Sequence, residues 1–480
     1  MRSIRLLGLG VLLGAVAGCL DEPVAPAGAG LEPEFAVVAG PARHVVSYGG
    51  GGPSALERKV SELGGTVEWK HDGVGIAVVS GLDEASAGQV AKLPGVREVV
   101  PDATFALEQP MAPIEADVVD VVASPTNPAG ATRYSWQWNM KAIGAEAAWA
   151  AGRLGSADVT VAILDTGIDY DAPDLIGRVD LSRSASFIPA DDPWVAAFAP
   201  LIGQRHVVSD LHGHGTNVAT QVSSNAAVHA GVTSQVTLIG VKVLSKEGSG
   251  SLSAVLAGVL YAADNGADVI NMSLGGGFYK MGNGIYVGLI NNVFNYAKQK
   301  GALVVVSAGN EEWDLDHDGP LYKTYCDAPH VVCVSATGPQ VPDGTPDIFA
   351  TYSNFGRSAI TVAAPGGNYV TQTAGWPWGS GVGSWVWSYC SKTRLVYDEA
   401  SNAWGYTACI AGNRVTGYIG TSQAAPHVAG LAALLVEEIG KGKPAQVKAR
   451  LVKGAIDLGQ PGTDPYFGKG RIDVPSTPGL

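Results

Sequence analysis

The stretch DVTVAILDTG, residues 158–167, decides the fold class, because its near-continuous apolar run ends abruptly at Asp165. Such a run is typical of a strand buried on both faces of a parallel sheet. Similar runs recur at residues 235–244, 267–276 and 302–310, and helical patterns separate them. We therefore predict an α/β fold, a mostly parallel sheet with helices on both faces.

Four polar residues fall where such a sheet builds its functional sites, beyond the carboxyl ends of the strands. Asp165 and Asn310 each close a predicted strand, and His214 and Ser422 each open a predicted helix. Pro426 fits only in the first turns of a helix, which places Ser422 at a helix N-terminus. Ser422 alone could be a helix-capping serine.

Together these four residues supply the chemistry of acyl transfer. A serine hydroxyl needs a base, a histidine can serve near neutral pH, and a buried carboxylate orients that histidine. Ser422, His214 and Asp165 fit these roles. The side-chain amide of Asn310 and the Ser422 backbone N–H could bind the oxyanion that forms.

The motifs ILDTGID, GHGTNVA, SAGN and GTSQAAPHVAG, in this order, resemble those of the subtilisin-like serine peptidases. The resemblance runs from about residue 136 to 474. It implies a secreted serine endopeptidase that acts on proteins or peptides through an Asp-His-Ser triad and needs no cofactor. It also implies two edges that pair with substrate backbone: Gly248, Ser249 and Gly250, and Ser273, Leu274 and Gly275.

The chain departs from the family pattern at three positions near the triad, one of which is Thr220, where the family commonly has glycine. Asn217 stands where the family commonly has histidine, and Gln423 where it commonly has methionine. Methionine sulfoxide would place a polar group beside the nucleophile. We therefore expect Gln423 to make the enzyme more tolerant of oxidants.

The N-terminus predicts export. Residues 1–19 carry two arginines, a short apolar run and the ending VAGC, which resembles a bacterial lipobox with Cys19 as the lipidated residue. The alternative is an ordinary signal peptide. Residues 20–40 read as a linker, and we expect contact with a membrane only through the lipid anchor.

Residues 41–108 show the order β-α-β-β-α-β, which is the ferredoxin-like arrangement. By resemblance this α+β unit is the family's inhibitory propeptide; a permanent accessory domain is the alternative. Residues 109–133 read as a second linker and 134–475 as the catalytic domain. Cleavage in that linker would release the enzyme from the anchor. We expect a monomer outside the cytoplasm.

Four cysteines remain after Cys19, and an even number in an exported chain predicts two disulfides. Three pairings are available, and free buried thiols are the alternative. We favour the near neighbours, Cys326 with Cys333 and Cys390 with Cys409.

Two acidic sites raise the question of structural calcium. Asp174 matches a family calcium ligand, but the loop that would complete the site looks short. Asp314, Asp316 and Asp318 have calcium-loop spacing, yet the twelfth position is Tyr325 rather than glutamate. A solvated acidic loop is the favoured interpretation.

The formal net charge of −13 argues against nucleic acid as a partner. A catalytically silent surface lipoprotein that uses the fold for binding is the alternative function, and the complete triad argues against it. An esterase of the α/β-hydrolase kind would place its nucleophile first and in G-x-S-x-G, whereas Ser422 comes last.

Overall fold

A computed structural model describes residues 43–49, 54–118, 121–275, 278–279, 284–317, 319, 321–322, 324–371, 374–375, 383–410 and 412–480. Cys19 and Asp318 lie outside these residues. Among the helices that the described residues form, none combines the length and the apolar character needed to cross a membrane.

The first unit is the expected β-α-β-β-α-β arrangement. Its antiparallel sheet has the order β2-β3-β1-β4, and one face packs on the two helices. The elements are β1 (Arg43–Tyr48), α1 (Leu56–Glu62), β2 (Thr66–His71), β3 (Ile76–Ser80), α2 (Glu84–Val90) and β4 (Val96–Pro101).

Two short strands follow: β5 (Thr104–Ala106) and β6 (Ile114–Asp117). The sequence predicts a linker from residue 109, but β6 pairs with a strand of the large domain. Four residues are too few to show a strand pattern, and the strand that pairs with them lies far along the chain.

The large domain contains a seven-stranded sheet of order β16-β15-β13-β11-β7-β9-β8, and all its neighbouring strands are parallel. The fold class is thus confirmed. The strands are β7 (Thr160–Asp165), β8 (Ala185–Ser186), β9 (Thr237–Lys242), β11 (Val269–Met272), β13 (Leu303–Ser307), β15 (Val332–Thr337) and β16 (Val362–Pro365).

Helices cover both faces of this sheet. Side chains alternate between the two faces along each strand, so each strand contributes to two cores. In β7, Val161 and Ile163 join one core, and Ala162 and Leu164 join the other. The helices are α3 (Trp138–Ala142), α4 (Ala145–Ala150), α5 (Asp192–Ala197), α6 (Ala199–Ile202), α7 (His214–Val222), α8 (Leu252–Asp264), α9 (Gly284–Gln299), α10 (Thr421–Ile439) and α11 (Pro444–Lys453).

Smaller strands surround the site. They are β10 (Ser249–Ser251), β12 (Phe278–Tyr279), β14 (Leu321–Tyr322), β17 (Val386–Tyr389), β18 (Leu395–Asp398), β19 (Ala403–Tyr406) and β20 (Arg414–Tyr418). β10 pairs with β5, β17 and β6 flank β20, and β18 and β19 form a hairpin.

One face of the first unit's sheet packs on its own two helices, and the opposite face packs on the large domain. Val45 and Ile76 contribute to the core that α8 and α9 build. Asp102 accepts hydrogen bonds from the backbone N–H of Ser253 at 2.9 Å and from its hydroxyl at 2.5 Å, at the start of α8. A carboxylate there satisfies free N–H groups and meets the positive end of the helix dipole.

The structure contains both favoured disulfides, Cys326–Cys333 and Cys390–Cys409. In the tryptophan-rich segment 366–418, Trp385 and Trp387 are buried in the core, whereas Trp404 is only partly buried. Trp404 packs with residues of the segment 176–206, including Phe198, in a small apolar cluster.

Candidate active site

The histidine–aspartate pair sits between β7 and α7. Nδ1 of His214 lies 2.8 Å from Oδ1 of Asp165, and both side chains are almost fully buried. The Thr166 N–H donates to the same carboxylate oxygen at 2.7 Å. At Gly215 a Cβ atom would lie 2.1 Å from the Gly167 carbonyl oxygen, so only glycine lets α7 approach β7 this closely.

Two carboxylates act on the titration of His214. Burial opposes its charged form, but the charge of Asp165, the hydrogen bond to it and the charge of Asp210 outweigh burial, and the pKa of His214 is raised. A histidine with this surrounding takes up a proton readily, as a general base must.

Ser422 lies in the first turn of α10, as its motif predicts. Its hydroxyl donates to the Ser273 carbonyl at 3.2 Å, and the Ser273 hydroxyl donates to the Ser422 carbonyl at 2.7 Å. α10 packs against α7, which carries His214. The N-terminal end of α10 also favours negative charge near the serine.

Asn310 follows β13 and is fixed by the residue before the serine. Its Oδ1 accepts from the Thr421 N–H at 2.8 Å and from the Thr421 hydroxyl at 3.0 Å. These two donors identify the oxygen of the amide, so Nδ2 is free to donate elsewhere. It donates to the Glu108 carbonyl at 2.7 Å.

The tail of the first unit therefore runs through the site as an extended peptide. β5 pairs antiparallel with β10, and the Leu107 N–H donates to the Gly248 carbonyl at 2.9 Å. Gly248, Ser249 and Gly250 thus contact the tail as the resemblance implies. Of the other predicted edge, Ser273 contacts Ser422, and Leu274 is buried in the core.

Asp210 is a site residue that the sequence analysis missed. Its Oδ1 accepts from Thr166, His212 and Gly213, and its Oδ2 accepts from Thr216. The carboxylate caps the start of α7 and ties it to the end of β7. An aspartate four residues before a helix-opening histidine is the signal that could have found it.

Asp174 and Asp316 are already engaged by protein donors. Oδ1 of Asp174 faces the backbone N–H groups of Ala227, Val228 and His229, and N–H donors suit an anion alone. Both oxygens of Asp316 accept from Ser358. Calcium requires six to eight oxygen ligands, so the surroundings of Asp174 do not fit the ion, whereas the cluster of Asp314, Asp316 and Asp318 stays a sequence expectation because Asp318 lies outside the described residues.

Sequence comparison identifies the family and relatives of the chain. The profile of the subtilase family matches residues 156–470. Thermitase of Thermoactinomyces vulgaris is 30% identical over 345 residues, which are 71% of this chain and 95% of thermitase. A thermophilic serine proteinase of Bacillus sp. (strain AK1) is 30% identical over 322 residues, 66% of this chain and 61% of that protein.

A solved structure shares the fold. The epidermin leader peptide processing serine protease of Staphylococcus aureus matches with a TM-score of 0.65 and 22% identity, over 90% of this chain and 96% of that one. The profile match, the thermitase alignment and the shared fold lead to one conclusion: the chain belongs to the subtilase family of serine endopeptidases.

Proposed function

We propose that the chain is the self-processing precursor of an exported serine endopeptidase and that it cuts its own Glu108–Gln109 bond. One observation carries the proposal: Nδ2 of Asn310 donates to the Glu108 carbonyl at 2.7 Å. This is the contact that an oxyanion-binding amide makes with the carbonyl under attack.

The reaction needs only residues of this chain. His214 takes the hydroxyl proton of Ser422 as the oxygen attacks the Glu108 carbonyl carbon, and Asn310 stabilises the resulting oxyanion. His214 then protonates the Gln109 nitrogen, the peptide bond breaks, and an ester joins Glu108 to Ser422. Water, deprotonated by His214, hydrolyses this ester. Asp165 stabilises the imidazolium in both halves.

The first unit acts as an inhibitor in this proposal, because its tail fills the substrate site. It is held there by β5 pairing with β10 and by Asp102 at the start of α8. A parallel sheet with many distant contacts folds slowly, so a unit docked on α8 and α9 can also assist folding. The catalytically silent lipoprotein is disfavoured, since the residues for chemistry are all present.

Cleavage at Glu108–Gln109 would separate the catalytic domain from the N-terminal segment and from the lipid that we predict on Cys19. We therefore propose that maturation releases the protease from the membrane. Active, cleaved enzyme that stays on membranes without another tether would contradict release.

The test compares the full chain with Ser422→Ala and with a matched control, Ser61→Ala, at an exposed serine of α1. Intact mass and N-terminal sequencing follow each protein over time. We expect the wild type and Ser61→Ala to yield a mature chain that begins at Gln109, and Ser422→Ala to stay whole. Cleavage of all three at the same bond would show that another protease makes the cut.

A further inference from the structure

The segment that follows the scissile bond lies on a positively charged edge of the large domain. We call this the primed-side edge and define it by β20 with Arg394 and Arg414. β6 pairs antiparallel with β20, and Glu115 stands opposite Thr416. With cleavage after Glu108, Glu115 is the seventh residue beyond the bond, counting from 109 to 115.

Each oxygen of the Glu115 carboxylate meets a different arginine. Oε1 lies 2.6 Å from Nη1 of Arg394, and Oε2 lies 3.2 Å from Nε of Arg414. The side chains of Arg394 and Glu115 are 13% and 25% exposed, so this contact is partly desolvated. Two guanidinium groups around one carboxylate form a specific binding site for an acidic side chain.

The primed-side edge is in fixed register with the nucleophile. β20 ends at Tyr418, and Ser422 follows within the first turn of α10. A peptide paired with β20 is therefore aligned relative to the attacking hydroxyl. Backbone pairing supplies affinity in such strand addition, and side-chain contacts supply the choice of sequence.

Arg394 lies in a loop that is anchored next to the catalytic residues. The Cys390–Cys409 disulfide closes this loop. The hydroxyls of Ser391 and Thr393 donate to the Asp210 carbonyl at 2.7 and 2.8 Å. The loop that carries Arg394 is thus tied to the segment that leads into His214.

The groove between the scissile bond and β6 brings Arg394 close to the path of the segment. Gln109, Pro113, Lys246, Glu247 and Arg394 are among the residues that line it. Lys246 is paired with Glu247, so Arg394 is the cation of this groove that meets an acidic side chain of the bound segment.

We propose that Arg394 and Arg414 form a substrate subsite that binds a carboxylate side chain seven residues beyond the scissile bond, in extended polypeptides paired with β20. The chain's own Glu115 occupies this subsite in the precursor. The inference rests on the proposed function, because the count of seven depends on the Glu108–Gln109 cleavage.

The subsite becomes available to substrates after self-cleavage. The cut removes the anchor that Glu108 gives to the segment, which then remains attached at one end through a four-residue edge strand. The contacts of Glu115 alone do not outweigh those of a substrate that makes the same contacts and further ones around its scissile bond. An incoming substrate, anchored on both sides of its own scissile bond, displaces it.

The test uses processed wild-type enzyme and synthetic peptides. One peptide has the sequence of residues 104–117, TFALEQPMAPIEAD, a second has glutamine in place of the glutamate at 115, and a third stops at residue 111. We expect kcat/KM for the glutamate peptide to exceed that for the glutamine peptide about tenfold, as two charge-assisted contacts allow.

Variants assign this preference to the arginines. The double variant Arg394→Gln, Arg414→Gln should cleave the two long peptides within about twofold of each other. Cleavage of the short peptide by this variant shows that it folds. The matched control is Arg357→Gln, since Arg357 pairs with Gln460 away from this edge; it should keep the full preference.

Two results overturn the inference, and they differ from each other. Equal cleavage of the glutamate and glutamine peptides by wild-type enzyme would mean that the arginines hold only the chain's own segment. Failure of wild-type enzyme to cut any of the three peptides between the positions of Glu108 and Gln109 would overturn the proposed function together with the subsite.

Discussion

Thr421 fixes the side-chain amide of Asn310, because both its N–H and its hydroxyl donate to Oδ1, at 2.8 and 3.0 Å. The same hydroxyl accepts from the Gly309 N–H at 3.0 Å. The helix that bears Ser422 therefore aims the Asn310 amide directly. Rotation of the amide would turn its oxygen toward the Glu108 carbonyl.

Loss of the Thr421 hydroxyl should slow catalysis without removing any group that touches the substrate. Removing an oxyanion donor outright costs about 10²–10³ in kcat, so we expect Thr421→Val to lose about tenfold. Thr421→Ser keeps the hydroxyl and should stay near wild type. Kinetics on a short peptide measure this; equal losses in both variants would contradict the orienting role.

Self-cleavage should depend on pH through a pair of carboxyl groups. The pKa of Glu311 is raised to about 7. Burial is the largest cause, and the hydrogen bond from Asn354 acts against it, whereas the nearby charge of Glu108 acts in the same direction as burial. Glu311 is thus neutral below about pH 7 and charged above it. As the pH rises, it repels the ionised Glu108 side chain and disfavours the bound tail.

Glu108→Gln removes this repulsion. We expect it to process itself about threefold to tenfold faster than wild type at about pH 8, and at the same rate at about pH 6. The ratio at each pH cancels the titration of His214. Glu98→Gln, at an exposed glutamate of β4, is the control. A ratio that does not change with pH would exclude the repulsion.

Activity in trans should show an acid limb set by His214. Its pKa is raised above 6.5, because the charges of Asp165 and Asp210 outweigh burial. His214 is neutral only above its pKa, so kcat/KM should increase with pH and reach half of its maximum above pH 6.5. Asp165→Asn should lower kcat by about 10⁴. A midpoint below the ordinary histidine value would contradict this assignment.

Much of the fold followed from local patterns. The apolar run that ends at Asp165 predicts a doubly covered parallel strand, and β7 is one, with its alternate residues in two cores. Helix-breaking Pro426 correctly placed Ser422 in the first turn of α10. These features depend on period and on turn chemistry, which a short stretch of sequence carries.

Contacts between residues far apart in the sequence could not be predicted from local patterns. Glu115 reaches Arg394 across 279 positions, and Asn310 reaches Glu108 across 202. β6 was expected to be part of a linker, because four residues with two prolines nearby carry no strand signal of their own. Such contacts arise from tertiary packing, and a single sequence has no periodic signature for them.

Two of the three departures from the family pattern, Gln423 and Asn217, contact each other. Nε2 of Gln423 donates to Oδ1 of Asn217 at 3.3 Å, between α10 and α7, and both side chains are buried. We expect Gln423→Met to destabilise the protein by about 1–3 kcal/mol, because it leaves that oxygen without its donor. It should also lose activity faster in peroxide. Equal peroxide sensitivity in both proteins would refute the oxidant hypothesis.

The Cys390–Cys409 disulfide should matter for processing as well as for stability. It joins residues 19 positions apart, and loop-closure entropy for that length predicts a loss of about 3 kcal/mol in Cys390→Ala, Cys409→Ala. The loop also carries Arg394, so self-cleavage should slow.

Cys326–Cys333 spans 7 positions and predicts a loss of about 2 kcal/mol. Thermal unfolding and the rate of mass loss separate the two effects: removal of the shorter bridge should lower the melting temperature but leave self-cleavage unchanged. If both double variants processed equally slowly, lost stability rather than the position of Arg394 would account for the defect.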